Sequence, residues 1–212
     1  MKFENTEVWG FEHAVRGMRN PLNSWDKGDS GYIDRRFNDQ FYIGENDLDL
    51  AQRLIKAGSE HRKFLRQIFV SVDITAPLYW WKEFDTYKVG TVANSCSTMH
   101  KLKDTPITVD CFEMGDYCGF FETPWKNLIA LLEQCRKEYN KTKDKQYWKE
   151  LVRLLPESWL QKRTVTMNYE NTLNMYRQRK NHKLSEWSKS FIEWVKTLPY
   201  AEGLICFEKE IK

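Results

Sequence analysis

The run from Ile68 to Thr75 limits the possible folds more than any other stretch of the sequence. Its residues alternate between apolar and other side chains in the order Ile-Phe-Val-Ser-Val-Asp-Ile-Thr, and Pro77 follows shortly after. Such alternation is typical of a half-buried β-strand, and a proline ends a strand because it has no N–H to donate. The sequence therefore predicts a strand over Ile68–Ile74, and with it a sheet.

Helical patterns dominate the rest of the chain. Weak alternation over 2–9 predicts one further strand, whereas apolar residues at helical spacing predict helices elsewhere. These helices are expected over 11–19, 48–57, about 124–140, 148–155, 166–180 and 185–198. Asp47 is expected to cap the second helix and Thr123 the third. Few strands among many helices predict an α+β fold, with one antiparallel sheet flanked by long helices.

The composition argues against several functional classes. The 212 residues suit a single domain over 1–212, and a net charge of +3 gives no reason to expect a nucleic-acid partner. Five cysteines without a CxxC pair argue against a disulfide framework and a zinc site, so reduced thiols and no metal are expected. The first residues lack the apolar core of a signal peptide, and no stretch approaches the roughly 20 apolar residues of a membrane span. We therefore expect a cytoplasmic protein with no membrane partner.

The stretch from Trp80 to Lys101 interleaves aromatic, charged and small hydroxyl residues with neither a strand period nor a helical period. In one interpretation its polar side chains bind a polar ligand, and the candidates are Asp85, Lys88, Asn94, Ser95, Ser97 and His100. In the other, Trp80, Trp81 and Phe84 pack one face of a helix, and a capped turn follows. The sequence leaves both interpretations open.

A second stretch, from Thr166 to Arg179, carries amide and guanidinium groups at recognisable offsets. Asn168 is followed by Asn174 six residues later and by Arg179 eleven residues later. In this the chain resembles the flavin-dependent thymidylate synthases, which place an Asn, an Asn and an Arg at these offsets. Other pieces of the resemblance follow the family's order along the chain: residues 58–61, the strand 68–74, the central stretch and the Leu-Leu-Pro run at 154–156.

The resemblance implies an enzyme that binds FAD and a pyrimidine nucleotide. Family members convert dUMP to dTMP by reductive methylation with methylenetetrahydrofolate and NADPH, and the chemistry belongs to the cofactor. The site residues that it implies are Arg179, Ser97 and Asn94 for the nucleotide, and Asn168, Asn174, His61 and Lys88 for the flavin. No catalytic side chain is identified. A homo-oligomer, most simply a tetramer, is expected because family sites lie between subunits, and nine tryptophans favour interfaces as well.

The central stretch departs from the family's pattern, which is Arg-His-Arg, then Ser, then Asn-Glu-x-Ser-x-Arg. Asn94 and Ser97 keep two positions, but Ser95 replaces the Glu and Met99 stands where the last Arg belongs. No Arg-His-Arg precedes them, and Glu170 replaces a further Arg of the family. The lost positive charge favours an alternative, a catalytically lapsed nucleotide-binding or assembly protein on the same fold. A third interpretation is a structural protein that interacts through tryptophan-rich surfaces.

The two arginines near the end of this stretch carry different expectations. Arg179 is expected to hold the nucleotide phosphate, because its planar guanidinium offers paired donors. Arg177 lies about 200° away around the helix and is expected to contribute little to nucleotide binding. In the alternative interpretation both are solvated near the helix C-terminus, where cations are favoured.

Overall fold

The computed structural model describes residues 1–34, 38–115 and 118–207. It has an α+β fold with six strands: β1 Lys2–Trp9, β2 Gly31–Asp34, β3 Asn38–Tyr42, β4 Phe69–Pro77, β5 Val92–Ser95 and β6 Leu160–Asn168. Four of them form one antiparallel sheet in the order β1-β4-β6-β5, and β2 pairs with β3 in a separate ribbon. In that ribbon Gly31 faces Tyr42 and Tyr32 faces Phe41. The predicted fold class is therefore confirmed.

Helices make up most of the remaining regular structure. They are α1 Phe11–Met18, α2 Glu45–Ala57, α3 Leu78–Phe84, α4 Thr98–Lys101, α5 Glu122–Thr142, α6 Lys145–Leu154, α7 Tyr169–Arg179, α8 Ile192–Lys196 and α9 Ala201–Leu204. A π-helical segment, Glu186–Phe191, leads directly into α8, and short 3₁₀ turns connect other elements. None of the described helices is both long and apolar enough to cross a membrane.

Strand β4 forms as the alternation predicts. Val70, Val72 and Ile74 are fully buried, whereas the intervening side chains are partly exposed, and Pro77 is the last residue of the strand. Because successive side chains point to opposite faces of a sheet, the alternation places one apolar face against the core. The helix that follows, α3, buries Trp80, Trp81 and Phe84. The packing interpretation of the central stretch is thus correct for residues 80–84.

Three local expectations are wrong. Asp47 does not cap α2, because the helix begins two residues earlier, at Glu45, and the buried Asp47 carboxylate binds other groups. Thr123 is the second residue of α5 rather than its cap. The helix expected over 166–180 begins only at Tyr169, because the residues before it form β6, which ends at Asn168. The β-branched Thr164, Val165 and Thr166 favour a strand there.

The chain divides into two compact units, so the single domain over 1–212 stays a prediction. The first unit comprises Met1–Lys2, Asp73–Thr86 and Ala93–Thr164. Its core includes a cluster of Leu102, Ile107, Phe112, Leu132, Cys135 and Leu151. The second unit comprises Phe3–Val72, Tyr87–Val92 and Val165–Lys212. Its core is built around residues from α1, α2, α7 and α8, among them Ala14, Ile55, Leu173 and Val195, which are fully or almost fully buried.

Candidate functional site

A cavity of about 620 Å³ lies within the second unit, between the end of α1, helix α2 and the segment 58–67. Its apolar wall consists of Met18, Pro21, Leu22, Leu50, Leu54 and Phe64. Its polar lining consists of Asn20, Ser24, Glu60, His61, Lys63 and Gln67. The volume lies within the range of ~300–1,000 Å³ that is usual for small-molecule sites, and the mixture of apolar walls with a few polar groups is typical of them.

A buried ion pair holds the chain that forms one wall of this cavity. The Arg19 Nε donates to Asp47 Oδ1 at 2.5 Å, and the Arg19 Nη1 donates to the carbonyl of Ser24 at 3.2 Å. The other carboxylate oxygen accepts from the backbone N–H of Asp29 at 3.1 Å, and from the N–H and hydroxyl of Ser30 at 3.0 and 2.6 Å. Asp47, on α2, therefore ties together the end of α1 and the loop that follows it.

The pKa of Asp47 reflects this environment. Burial acts to raise the pKa, but the hydrogen bonds from Ser30 and Arg19 outweigh it, so that the pKa lies below its ordinary value. The carboxylate is therefore ionised at neutral pH, and its full set of donors keeps the cavity wall in place.

Helix α7 presents one polar side to the segment 58–67. Glu170, Asn174 and Arg177 share this side because they are four and three residues apart. The Arg62 Nε donates to Glu170 Oε1 at 3.0 Å, and the Arg62 Nη2 donates to Asn174 Oδ1 at 2.9 Å. Arg66 forms a second ion pair with Glu170. These ion pairs hold the pKa of Glu170 below its ordinary value in spite of its burial.

A second side of α7 holds the segment Tyr87–Gly90. Asn168 caps the helix, since its Oδ1 accepts from the N–H of Asn171 at 3.0 Å, and the Asn171 Nδ2 donates to the carbonyl of Val89 at 2.6 Å. Gly90 has a φ of +76° and approaches these amides so closely that a Cβ would lie 2.7 Å from Asn168 Nδ2. The position therefore requires glycine for two reasons, backbone conformation and space.

Arg179 lies at the end of this second side. Its guanidinium carbon is 4.9 Å from the centroid of the Trp187 ring and 5.6 Å from that of Tyr87. Its Nε donates to the Tyr87 hydroxyl at 2.9 Å, and that hydroxyl donates to Gln178 Oε1 at 2.8 Å. Arg179 is thus oriented by two aromatic rings, which is a preorganised setting for a guanidinium that binds a planar or anionic group.

The structure places the site residues predicted from the sequence in several positions. His61 lines the cavity, and Asn174 is held by Arg62. Arg179 and Asn168 both lie against Tyr87–Gly90, the segment that also carries the exposed Lys88. Asn94 and Ser97 belong to the first unit, where Asn94 is an exposed residue of β5 and Ser97 is half-buried between β5 and α4. Within that unit Gln161 Nε2 donates to the carbonyl of Cys96 and to the Thr98 hydroxyl.

Sequence reasoning missed Arg62, Arg66, Tyr87 and Trp187, which surround α7. The partners of Arg62 and Arg66 are more than a hundred residues away along the chain, so no local pattern reveals them. One signal for these arginines was present in the sequence. Glu170 replaces an arginine of the family that the chain resembles, and a buried carboxylate requires cations nearby.

The fold is similar to that of solved flavin-dependent thymidylate synthases. A crystal structure of this enzyme from Helicobacter pylori, complexed with FAD and dUMP, matches 97% of this chain and 98% of its own at 15% identity, with a TM-score of 0.71. A second structure from the same organism with FAD and dUMP covers 94% of both chains at 16% identity, with a TM-score of 0.69. No protein-family model matches the sequence, and no curated protein matches it either. The chain therefore has the flavin-dependent thymidylate synthase fold.

Proposed function

We propose that this chain binds a flavin and a pyrimidine deoxynucleotide and carries out the reductive methylation of dUMP to dTMP. The observation that supports it most is the 620 Å³ cavity in a chain of this fold. The resembling family uses FAD, with methylenetetrahydrofolate as the carbon donor and NADPH as the reductant. A reduced flavin supplies a hydride when bound, and the residues of the chain provide binding, orientation and exclusion of water.

The lining of the cavity fits the ring system of a flavin. Met18, Leu54 and Phe64 provide an apolar surface for planar rings, and burial of such surface stabilises a complex by about 25 cal/mol per Å² before the costs of binding. Asn20 and Gln67 carry amide groups that both donate and accept, which matches the edge of a flavin ring.

The charges around the cavity fit the phosphates of FAD less well. Lys63 is the cation of the lining, and its ammonium already pairs with the Glu60 carboxylate at 3.3 Å, in an exposed setting. His61 lines the cavity beside them and is able to donate a hydrogen bond. With so little net positive charge, we expect micromolar rather than nanomolar affinity for FAD.

For the nucleotide we propose that Arg179 holds the phosphate, while Asn168, Asn174 and Lys88 orient flavin or base. The resemblance also implies nucleotide contacts for Ser97 and Asn94, which belong to the first unit. Hydrogen bonds to charged groups are worth ~1.5–3 kcal/mol each, so Arg179→Ala should weaken dUMP binding roughly tenfold to a hundredfold. Arg179→Lys should recover only part of it, because an ammonium lacks the planar fork. Calorimetry with dUMP measures both, and Arg53→Ala, at an exposed arginine of α2, is the control.

An equal loss of dUMP affinity in Arg53→Ala and Arg179→Ala would remove Arg179 from the nucleotide site.

We further propose that the protein is a homotetramer, since the sites of the family lie between subunits, and that it is located in the cytoplasm. Light scattering at micromolar concentration checks the assembly: a particle of about four chains is expected, and a mass near the 25.5 kDa of one chain contradicts it.

A second candidate function is a nucleotide-binding or assembly protein that has lost the chemistry. It is favoured by Glu170, whose carboxylate occupies both Arg62 and Arg66. The deciding experiment follows the conversion of dUMP to dTMP by purified protein supplied with FAD, methylenetetrahydrofolate and NADPH. FAD-dependent formation of dTMP supports the enzyme. Binding of dUMP without any turnover supports the lapsed protein and rules out the first proposal.

A further inference from the structure

Two arginines pair with one carboxylate along the side of α7 that faces the segment 58–67, and a third arginine lies on the same side of the helix. Arg62 and Arg66 pair with Glu170, and Arg62 also donates to Asn174. Arg177 lies one helical turn beyond Asn174 on the same side. The next carboxylate along the segment, Glu60, pairs with Lys63. The positive groups of this cluster therefore outnumber its carboxylates.

Arg177 is the unusual member of the cluster. Its Nη2 is buried and has no hydrogen-bond partner among residues 1–34, 38–115 and 118–207. Burial, and secondly the charge of Arg62, lower the pKa of Arg177. A buried donor without an acceptor costs free energy, and a like charge nearby adds to that cost. The position of this guanidinium therefore lowers the stability of the folded protein.

Such an arrangement is typical of groups kept ready for a ligand rather than for stability. Arg177 as a whole is only half-buried, so solvent reaches part of its side chain. The partner that it lacks is an acceptor with negative charge. A phosphoryl group suits best, because it offers several oxygens to the forks of neighbouring guanidinium groups.

We propose that Arg177 and Arg62, with Arg66 at the edge, form a binding site for a phosphate or diphosphate group. The site is separate from the residues that line the cavity, and it goes beyond the function proposed above. The phosphoryl group belongs either to a free inorganic anion or to a nucleotide. In both cases the oxygens pair with Arg177, and Glu170 keeps Arg62 and Arg66 oriented.

The test measures thermal unfolding of the whole protein with and without inorganic pyrophosphate. A ligand at about a hundred times its Kd should raise the melting temperature of a chain of this size by roughly 5–10 °C. Arg177→Met keeps an unbranched apolar stem and removes the charged guanidinium, so pyrophosphate should raise the melting temperature of this variant by less than ~2 °C. Arg177→Lys should regain part of the shift, and the exposed Arg53→Met should respond like the wild type.

Without pyrophosphate, Arg177→Met should melt at or above the wild-type temperature, because it removes a buried donor that lacks an acceptor. A second titration, with dUMP in the wild type and in Arg177→Met, distinguishes the sources: a dUMP shift that Arg177→Met loses assigns the site to a nucleotide, and one that Arg177→Met keeps assigns it to a free anion. Equal pyrophosphate shifts in wild type and Arg177→Met, or no shift in either, would overturn the proposal. Neither result depends on FAD, so a failure of the flavin proposal is recognised separately.

Discussion

Replacement of Asp47 by alanine tests how the cavity wall is held. The carboxylate is 1% exposed and accepts hydrogen bonds from Arg19, from the backbone of Asp29, and from the backbone and hydroxyl of Ser30. Asp47→Ala removes the acceptor of all these donors. It also leaves the guanidinium of Arg19, itself 6% exposed, as a buried charge without its carboxylate.

The expected magnitude follows from this geometry. Removal of one partner from a buried ion pair costs ~3–5 kcal/mol, because the remaining charge is no longer compensated. With a denaturant dependence of ~2–3 kcal/mol per molar urea, the midpoint of unfolding should fall by roughly 1–2.5 M. That is a large part of the ~5–15 kcal/mol by which a typical domain is stable.

Urea unfolding at pH 7, followed by circular dichroism, measures the effect. Asp49→Ala is a matched control: it lies on the same helix and pairs with Arg53 at 2.9 Å, but this pair is exposed. Exposed i,i+4 pairs contribute ~0.3–0.5 kcal/mol, so the control should barely move the midpoint. If Asp47→Ala shifts the midpoint no more than Asp49→Ala does, the buried pair does not hold the wall and the reasoning is refuted.

Two further predictions concern stability. Gly90→Ala should destabilise the protein by ~1–3 kcal/mol, because it combines a φ of +76° with a Cβ only 2.7 Å from Asn168 Nδ2. Gly119→Ala, with open space around the added Cβ, should not destabilise it, and equal urea midpoints for the two variants would contradict this reasoning. The hydrogen bond from Arg136 is the chief reason why the pKa of Glu133 is lowered from 4.5 to about 2. The Glu133 carboxylate therefore stabilises the fold above pH 4.5, and its contribution, up to ~3 kcal/mol, is lost as the pH falls towards 2. Glu133→Gln should therefore flatten the acid side of the curve of melting temperature against pH, and an unchanged curve would contradict that assignment.

Much of the fold was predictable from local patterns. The period-two run gave β4 with its buried face, and helical spacing predicted α1, α2, α5 and α6 to within a few residues at most of their ends. The aromatic face of the last helical stretch, which includes Trp187 and Trp194, is buried as expected. These elements are predictable because each buries one face, so the period of the element is written in the order of its residues.

Strand β6 was missed because its burial changes along its length. Only its last residues, including Val165 and Met167, are buried, and the first half carries Gln161, Lys162 and Arg163. Because α7 follows β6 directly, the predicted helix began three residues too early, at Thr166 instead of Tyr169. An N-cap residue such as Asn168 fits both interpretations, since it belongs to the strand and also caps the helix.

The candidate site was predictable only in part. Offsets along one helix singled out Asn168, Asn174 and Arg179, but Arg62 and Tyr87, which bind Asn174 and Arg179, come from segments far away in the sequence. Neither the stacking of Arg179 on Trp187 and Tyr87 nor the capture of Glu170 by Arg62 has a local signature. Such pairs depend on tertiary packing, and so does the burial of the Arg177 guanidinium nitrogen, which the sequence does not indicate.

The central claim is that the cavity beside His61 binds a flavin. Titration of FAD, followed by its fluorescence, measures this directly in the wild type and in Leu54→Trp, which places a bulky ring in the cavity. The account predicts saturable binding to the wild type with a micromolar Kd, and binding at least roughly tenfold weaker in Leu54→Trp, a difference of ~1.4 kcal/mol. Absence of binding to a folded wild type at millimolar FAD, or equal affinity in the two proteins, would contradict it.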